Sequence, residues 1–196
     1  MSTNSSLILS APTLTVESAE AEFNSEVIRS VDGGYIDHLK MMALRSPRNR
    51  YRLCLHHDIS HLTQEMIICL RGFNYFRPHL HMDNRSESYH MIKGCMDVYL
   101  LDEDGILIEI VRLAAPGTVG AEARSFMYRL SAPIYHFVVP RSKWTIYHEV
   151  LTGPWSSENV MHFAPFSPLE NDLAAIEEFV KRIAGHTIEE LMCLDC

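Results

Sequence analysis

Between Phe73 and about Val150 the chain breaks into seven short β-rich runs: Tyr75–His79, Ser88–Lys93, Met96–Leu101, Ile106–Leu113, Phe126–Leu130, Tyr135–Val139 and Thr145–Leu151. Turn signals separate most of them. Asp102-Glu103-Asp104-Gly105 makes one hairpin connection and Ala115-Pro116-Gly117 another turn. So many short strands in close succession restrict the fold to a sandwich or a barrel.

The flanks are helical in pattern. Ile36, Leu39, Met42 and Ala43 recur at helical spacing and Ser46-Pro47 closes that segment. A second helix is expected over Ile59–Leu70, through Leu62, Met66, Ile67 and Leu70, with Asp58 or Ser60 as its cap. Arg48 to Leu55 alternates as a strand, with Arg48, Arg50 and Arg52 on one face. After an irregular stretch rich in proline, Leu173, Ile176, Phe179, Val180 and Ile183 mark an amphipathic helix, and a shorter one follows from Thr187. The expected organisation is a loosely held arm over residues 1–34, a central domain over 35–166 and a helical extension over 167–196.

Composition narrows the function. With 47% apolar and 21% charged residues the chain matches ordinary globular proteins rather than disordered ones. Its net charge of −8, without a Lys/Arg run, argues against a nucleic-acid or anionic-membrane surface. No stretch approaches the ~20 apolar residues that span a bilayer. The five scattered cysteines lack the pattern of a small secreted scaffold, so reduced thiols and a cytoplasmic location are expected.

The eleven histidines hold the chemistry. On a strand, His79 and His81 share a face and offer two imidazoles to one ion. Glu87 lies beyond the Asp83-Asn84-Arg85 turn and returns beside them on the next strand, and His136 on a later strand is the natural third imidazole. Such a mixed nitrogen and carboxylate set suits iron, manganese, nickel or zinc. His148 is the reserve ligand, while His90, three residues after Glu87, faces away. His57 and His61 have the spacing of a metal pair but no third partner, and Cys193-Leu-Asp-Cys196 reads as tail. Arg48, Arg50, Arg52 and Arg77 are candidates for binding an anion, and Tyr75 and Tyr135 for lining the same cavity. There is no Gly-rich phosphate loop and no nucleophile elbow.

The His79-x-His81…Glu87…Gly94 series resembles the first motif of the cupin superfamily. A closer resemblance, to the WbuC family of cupin-fold metalloproteins, runs through RSPRNRYRLCLH (45–56), YFRPHLH (75–81), ESYHMIKGCMDVYLLDEDG (87–105), HEVLTGPW (148–155) and FAPFSP (163–168). The superfamily's second motif departs from its usual form, with Pro133 in place of the turn glycine and Tyr135 in place of tryptophan. The resemblance implies a mainly β, double-stranded β-helix barrel with flanking N- and C-terminal helices. It also implies that His79, His81, Glu87 and His136 hold one divalent metal ion. Two functions follow: a metal-dependent small-molecule enzyme, either an oxygenase using iron(II) or an isomerase or epimerase on sugar precursors, and a non-catalytic sugar- or acid-binding sensor. A homodimer with a small anionic or sugar-like ligand is the expected assembly.

Overall fold

The structure is a computed structural model that describes residues 14–24, 26–82, 85–120, 124–156 and 161–193. Twelve strands and three helices are found among them. In chain order these are β1 (Leu14–Ser18), β2 (Ala21–Asn24), α1 (Gly33–Arg45), β3 (Arg50–Cys54), β4 (Thr63–Arg71), β5 (His79–Leu80), β6 (Glu87–Lys93) and β7 (Cys95–Leu101). They continue with β8 (Leu107–Ala114), β9 (Met127–Leu130), β10 (Tyr135–Pro140), β11 (Trp144–Thr152), β12 (His162–Phe163), α2 (Leu173–Ala184) and α3 (Ile188–Cys193). The strands form two sheets, ordered β1-β2-β3-β4-β11-β6-β9 and β12-β5-β10-β7-β8. Apart from the parallel pair β2–β3, neighbouring strands are antiparallel.

Three layers of apolar packing follow from strand alternation. Met66, Ile68, Tyr89 and Met91 of the long sheet meet Met96, Val98, Leu113 and Val138 of the short one, which closes the two sheets face to face. The opposite face of β3 and β4, through Leu53, Ile67 and Cys69, is covered by Leu39 and Ala43 of α1. The opposite face of β7 and β10, through Tyr99, Leu101, Phe137 and Val139, is covered by Ile176, Phe179, Val180 and Ile183 of α2. Each Val, Leu, Ile, Phe or Met so buried contributes roughly 1.5–3 kcal/mol relative to exposure. The result is a mainly β barrel of two facing sheets with flanking helices.

Local chemistry sets the helix ends. The Asp32 carboxylate accepts from Tyr35 N at 2.9 Å to cap α1, and Asp172 accepts from Ala175 N at 3.0 Å to cap α2. Arg141 ties the C-terminal segment to the barrel, pairing with the buried Asp97 carboxylate at 2.7 Å while its Nε donates to Leu191 O at 3.1 Å.

The structure corrects three expectations. Ile59–Leu70 is not a helix: 55–62 is irregular and Thr63–Arg71 is a central strand. Its residues Met66 to Leu70 are buried on both faces, so their continuous apolar run carries no period-2 signature. Leu14–Ser18 and Ala21–Asn24, expected within a loose arm, extend the long sheet as an edge hairpin. Finally, Cys95 is disulfide-bonded while Cys54 and Cys69 are free, so the expectation of uniformly reduced thiols fails. The Cys193-x-x-Cys196 tail and the Asp83-Asn84 turn lie outside the described side chains. Among the described residues, no helix is long and apolar enough to cross a membrane.

Candidate metal centre

His79 begins β5, and His81 follows it by two residues, so both imidazoles point inward. β10 pairs with β5 so that His136 sits directly across from His79. Ring centroids of the three imidazoles are 4.6 to 5.3 Å apart, and one nitrogen from each lies within 4.8 Å of the others. Glu87, the first residue of β6, enters from the other sheet, and Arg85 just before it anchors the connection by donating to Thr152 O and Pro154 O, each at 2.8 Å. Glu87 Oε1 lies 2.8 Å from His136 Nε2, and Glu87 Oε2 lies 3.3 Å from His81 Nε2.

The surroundings fix which nitrogen faces the centre. His79 Nδ1 lies 3.0 Å from Arg77 O and His136 Nδ1 lies 2.9 Å from Ile134 O. A carbonyl only accepts, so each Nδ1 carries the hydrogen and each Nε2 presents its lone pair to the cluster. Tyr89 Oη donates to Glu87 Oε2 at 2.9 Å and orients that carboxylate. Burial, assisted by the neighbouring His136, pushes His79 down to about 3. Although burial opposes it, the nearby His136 holds Glu87 well below the usual carboxylate range; the same carboxylate raises His136 against its own burial.

The donor set fits a cation. Glu87 Oε1 and His136 Nε2 are both buried, and neither has a hydrogen-bond partner among the described residues. The 2.8 Å contact is met either by a proton on His136 Nε2 or by a metal ion that takes both atoms as ligands. Three imidazoles and one carboxylate make a borderline site for a divalent transition metal.

The cluster lies in the wall of a cavity of about 510 Å3 between the sheets. Arg50, Arg52 and Arg77 reach this cavity. Three of the residues expected at it do not. Arg48 lies outside β3, paired with Glu20 and Glu170. Tyr75 packs edge-on against Phe179 and donates to Pro168 O, and Tyr135 packs edge-on against Phe166, so both belong to the layer beneath α2. Tyr147 and Glu149 face the cavity, which sends His148 to the opposite face, 5.4 Å from His90 and 3.8 Å from Glu65 Oε1; it is no reserve ligand. His57 and His61 form no metal pair: His57 contacts Arg29, and His61 Nδ1 lies 2.9 Å from Thr63 O.

Sequence reasoning missed Glu149 as a cavity residue, although its alternation with Tyr147 was visible. Burial first, and the charge of Glu87 second, push Glu149 up to about 7.

Fold and site together define a two-sheet β barrel whose interior gathers three histidines that could hold a metal ion. Residues 31–113 match the family described as a domain of unknown function, DUF6016. No curated protein matches the chain. Among solved structures it is similar to oxalate decarboxylase from Lactobacillus farciminis in its formate complex, at 22% identity and a TM-score of 0.42 over 58% of this chain and 30% of that one. Oxalate decarboxylase from B. subtilis is similar at 19% identity and a TM-score of 0.43, over 72% of this chain and 34% of that one. KdgF from Halomonas sp. is similar at 14% identity and a TM-score of 0.40, over 56% of this chain and 82% of that one. The chain thus spans about a third of either decarboxylase.

Proposed function

We propose that this protein is a metal-dependent enzyme acting on a small anionic or sugar-like molecule, with His79, His81, Glu87 and His136 holding one divalent ion. The observation that carries the reading is the convergence of the three imidazoles, one nitrogen from each within 4.8 Å of the others, beside the buried Glu87 carboxylate. Iron(II) is our first choice, ahead of manganese, nickel and zinc, all of which accept this donor set. When bound, the ion supplies Lewis-acid or redox chemistry. The chain's own residues do the rest. Arg77 O and Ile134 O hold two imidazoles in one tautomer, Tyr89 orients Glu87, and the apolar cavity walls keep bulk water from the centre. The resemblance to the WbuC family supports a ligand drawn from surface-polysaccharide chemistry.

The test is reconstitution with iron(II) under nitrogen, followed by oxygen-electrode and product measurements against a panel of small acids and sugars, with zinc-loaded protein alongside. Substrate-dependent oxygen uptake supports the oxygenase form, and turnover by the zinc protein supports the isomerase or epimerase form. Ligands that bind and return unchanged with every metal would overturn the enzymatic reading and leave a binding module.

A further inference from the structure

Three of the four arginines near the cavity are engaged within the protein. Arg48 and Arg50 both contact the carboxylates of Glu20 and Glu170, and Arg50 also lies 4.5 Å above the Phe76 ring. Arg77 donates to Ser167 Oγ at 2.8 Å and to Ala164 O at 3.3 Å, with its guanidinium 4.9 Å from the Phe163 ring. Arg52 differs. It reaches the cavity from the inner face of β3, is exposed there, and forms no ion pair among the described residues, although the chain carries 25 acidic side chains against 17 basic ones. Its polar contact is Nη1 on the Met66 sulfur at 3.9 Å, a weak acceptor.

Glu149 lines the same cavity, and among the described residues its carboxylate has neither a hydrogen bond nor an ion pair. In strand order it lies on β11, between β3, which carries Arg52, and β6, which carries Glu87. A guanidinium and a carboxylate, neither of them in an ion pair among the described residues, therefore line one small-molecule-sized cavity beside the histidines. The two attract one another across the cavity without an ion pair or hydrogen bond between them, and together they complement a ligand with one anionic and one hydroxyl group.

We propose that Arg52 and Glu149 form a recognition subsite for a small hydroxylated anion, such as a hydroxy acid, a sugar acid or a sugar phosphate. The planar guanidinium takes the carboxylate or phosphate oxygens in its fork, and Glu149 hydrogen-bonds a hydroxyl of the same molecule. A hydroxyl both donates and accepts, so it satisfies Glu149 in either protonation state. This deepens the functional reading above, since it rests on the cavity being the binding site.

The test is calorimetry on the zinc-loaded full chain with four probes: glycerate and glycerol 1-phosphate, which carry both groups, propionate, which lacks the hydroxyl, and glycerol, which lacks the anion. Glycerate or glycerol 1-phosphate should bind about tenfold or more tightly than propionate or glycerol, as one charge-assisted hydrogen bond allows. Arg52→Gln should reduce that binding to the level of glycerol, and Glu149→Leu to the level of propionate, while Glu149→Gln keeps most of it. Arg52 is exposed, so its variant decides the anion contact even if Glu149→Leu fails to fold. Equal binding of all four probes, or affinity unchanged in Arg52→Gln, overturns the subsite. Zinc content of the same samples separates the two readings. Zinc bound without discrimination among probes sinks the subsite alone, whereas Arg52-dependent binding in a protein that takes up no metal sinks the metal reading alone.

Discussion

Gly94 joins β6, which begins with Glu87, to β7 of the opposite sheet, and its backbone sits at φ +70. Replacing it with Ala perturbs the turn in two ways. The left-handed conformation costs a residue with a Cβ roughly 1–2 kcal/mol. The added carbon would also stand 2.1 Å from Ser142 Oγ and 2.3 Å from the backbone oxygen of Trp144. Ser142 has little room to yield, because its hydroxyl accepts from Cys95 N at 2.9 Å and donates to Trp144 O at 3.1 Å. Such overpacking adds about 1–3 kcal/mol. The sum, about 2–5 kcal/mol, lowers Tm by about 4–20 °C in a chain of this size. Gly72 is the control: its φ is +65, but a Cβ there meets nothing within 4 Å, so Gly72→Ala carries the conformational cost alone, with a fall of about 2–8 °C. Thermal melts of both variants by circular dichroism decide the matter. Equal shifts, or a Gly94→Ala protein as stable as the parent, refute the account of this turn.

Other consequences follow from the same packing and charges. Ile67→Ala should cost about 2–5 kcal/mol in urea unfolding by opening a hole beneath α1, and a loss under about 1 kcal/mol would contradict the packing of α1 on β4. Glu149 has a folded pKa of about 7 against an ordinary value of 4.5, so the folded state holds its proton more tightly than the unfolded chain does. Stability from this group is therefore full below about 4.5 and declines as pH rises to about 7, and Glu149→Gln should flatten that part of the metal-free protein's stability profile; an unchanged profile would show that the carboxyl ionises freely. The disulfide at Cys95 occupies two of the five cysteines, so three thiols should react in denaturant without reductant and five after reduction. Five without reductant would exclude the bond.

The barrel and its histidines were legible because each rests on a local rule. His79 and His81 share a face through the period of two, and the Asp102–Gly105 turn announces its hairpin, with Asp102 Oδ1 accepting from Asp104 N and Ile106 N. What was not legible depends on what covers each face. Met66 to Leu70 reads as apolar in every direction because the cavity side and the α1 side both bury it, so periodicity does not distinguish strand from helix there. Tyr75 and Tyr135 lie near the ligands in sequence, yet α2, more than thirty residues away along the chain, draws their rings to the outer face of the short sheet. The same limit applies to the arginine row: its alternation was visible, but the neutralisation of Arg48 and Arg50 by Glu20 and Glu170 is tertiary.

Elemental analysis of protein purified without added metal, beside His79→Ala/His81→Ala and a His148→Ala control on the opposite face, tests the central claim most directly. Stoichiometric divalent metal in the parent and the control, lost in the double variant, is the expected result, and the identity of the ion separates iron-dependent oxygen chemistry from Lewis-acid chemistry. Metal absent from all three, with none taken up from iron, manganese, nickel or zinc, would contradict the claim, as would metal retained in full by the double variant.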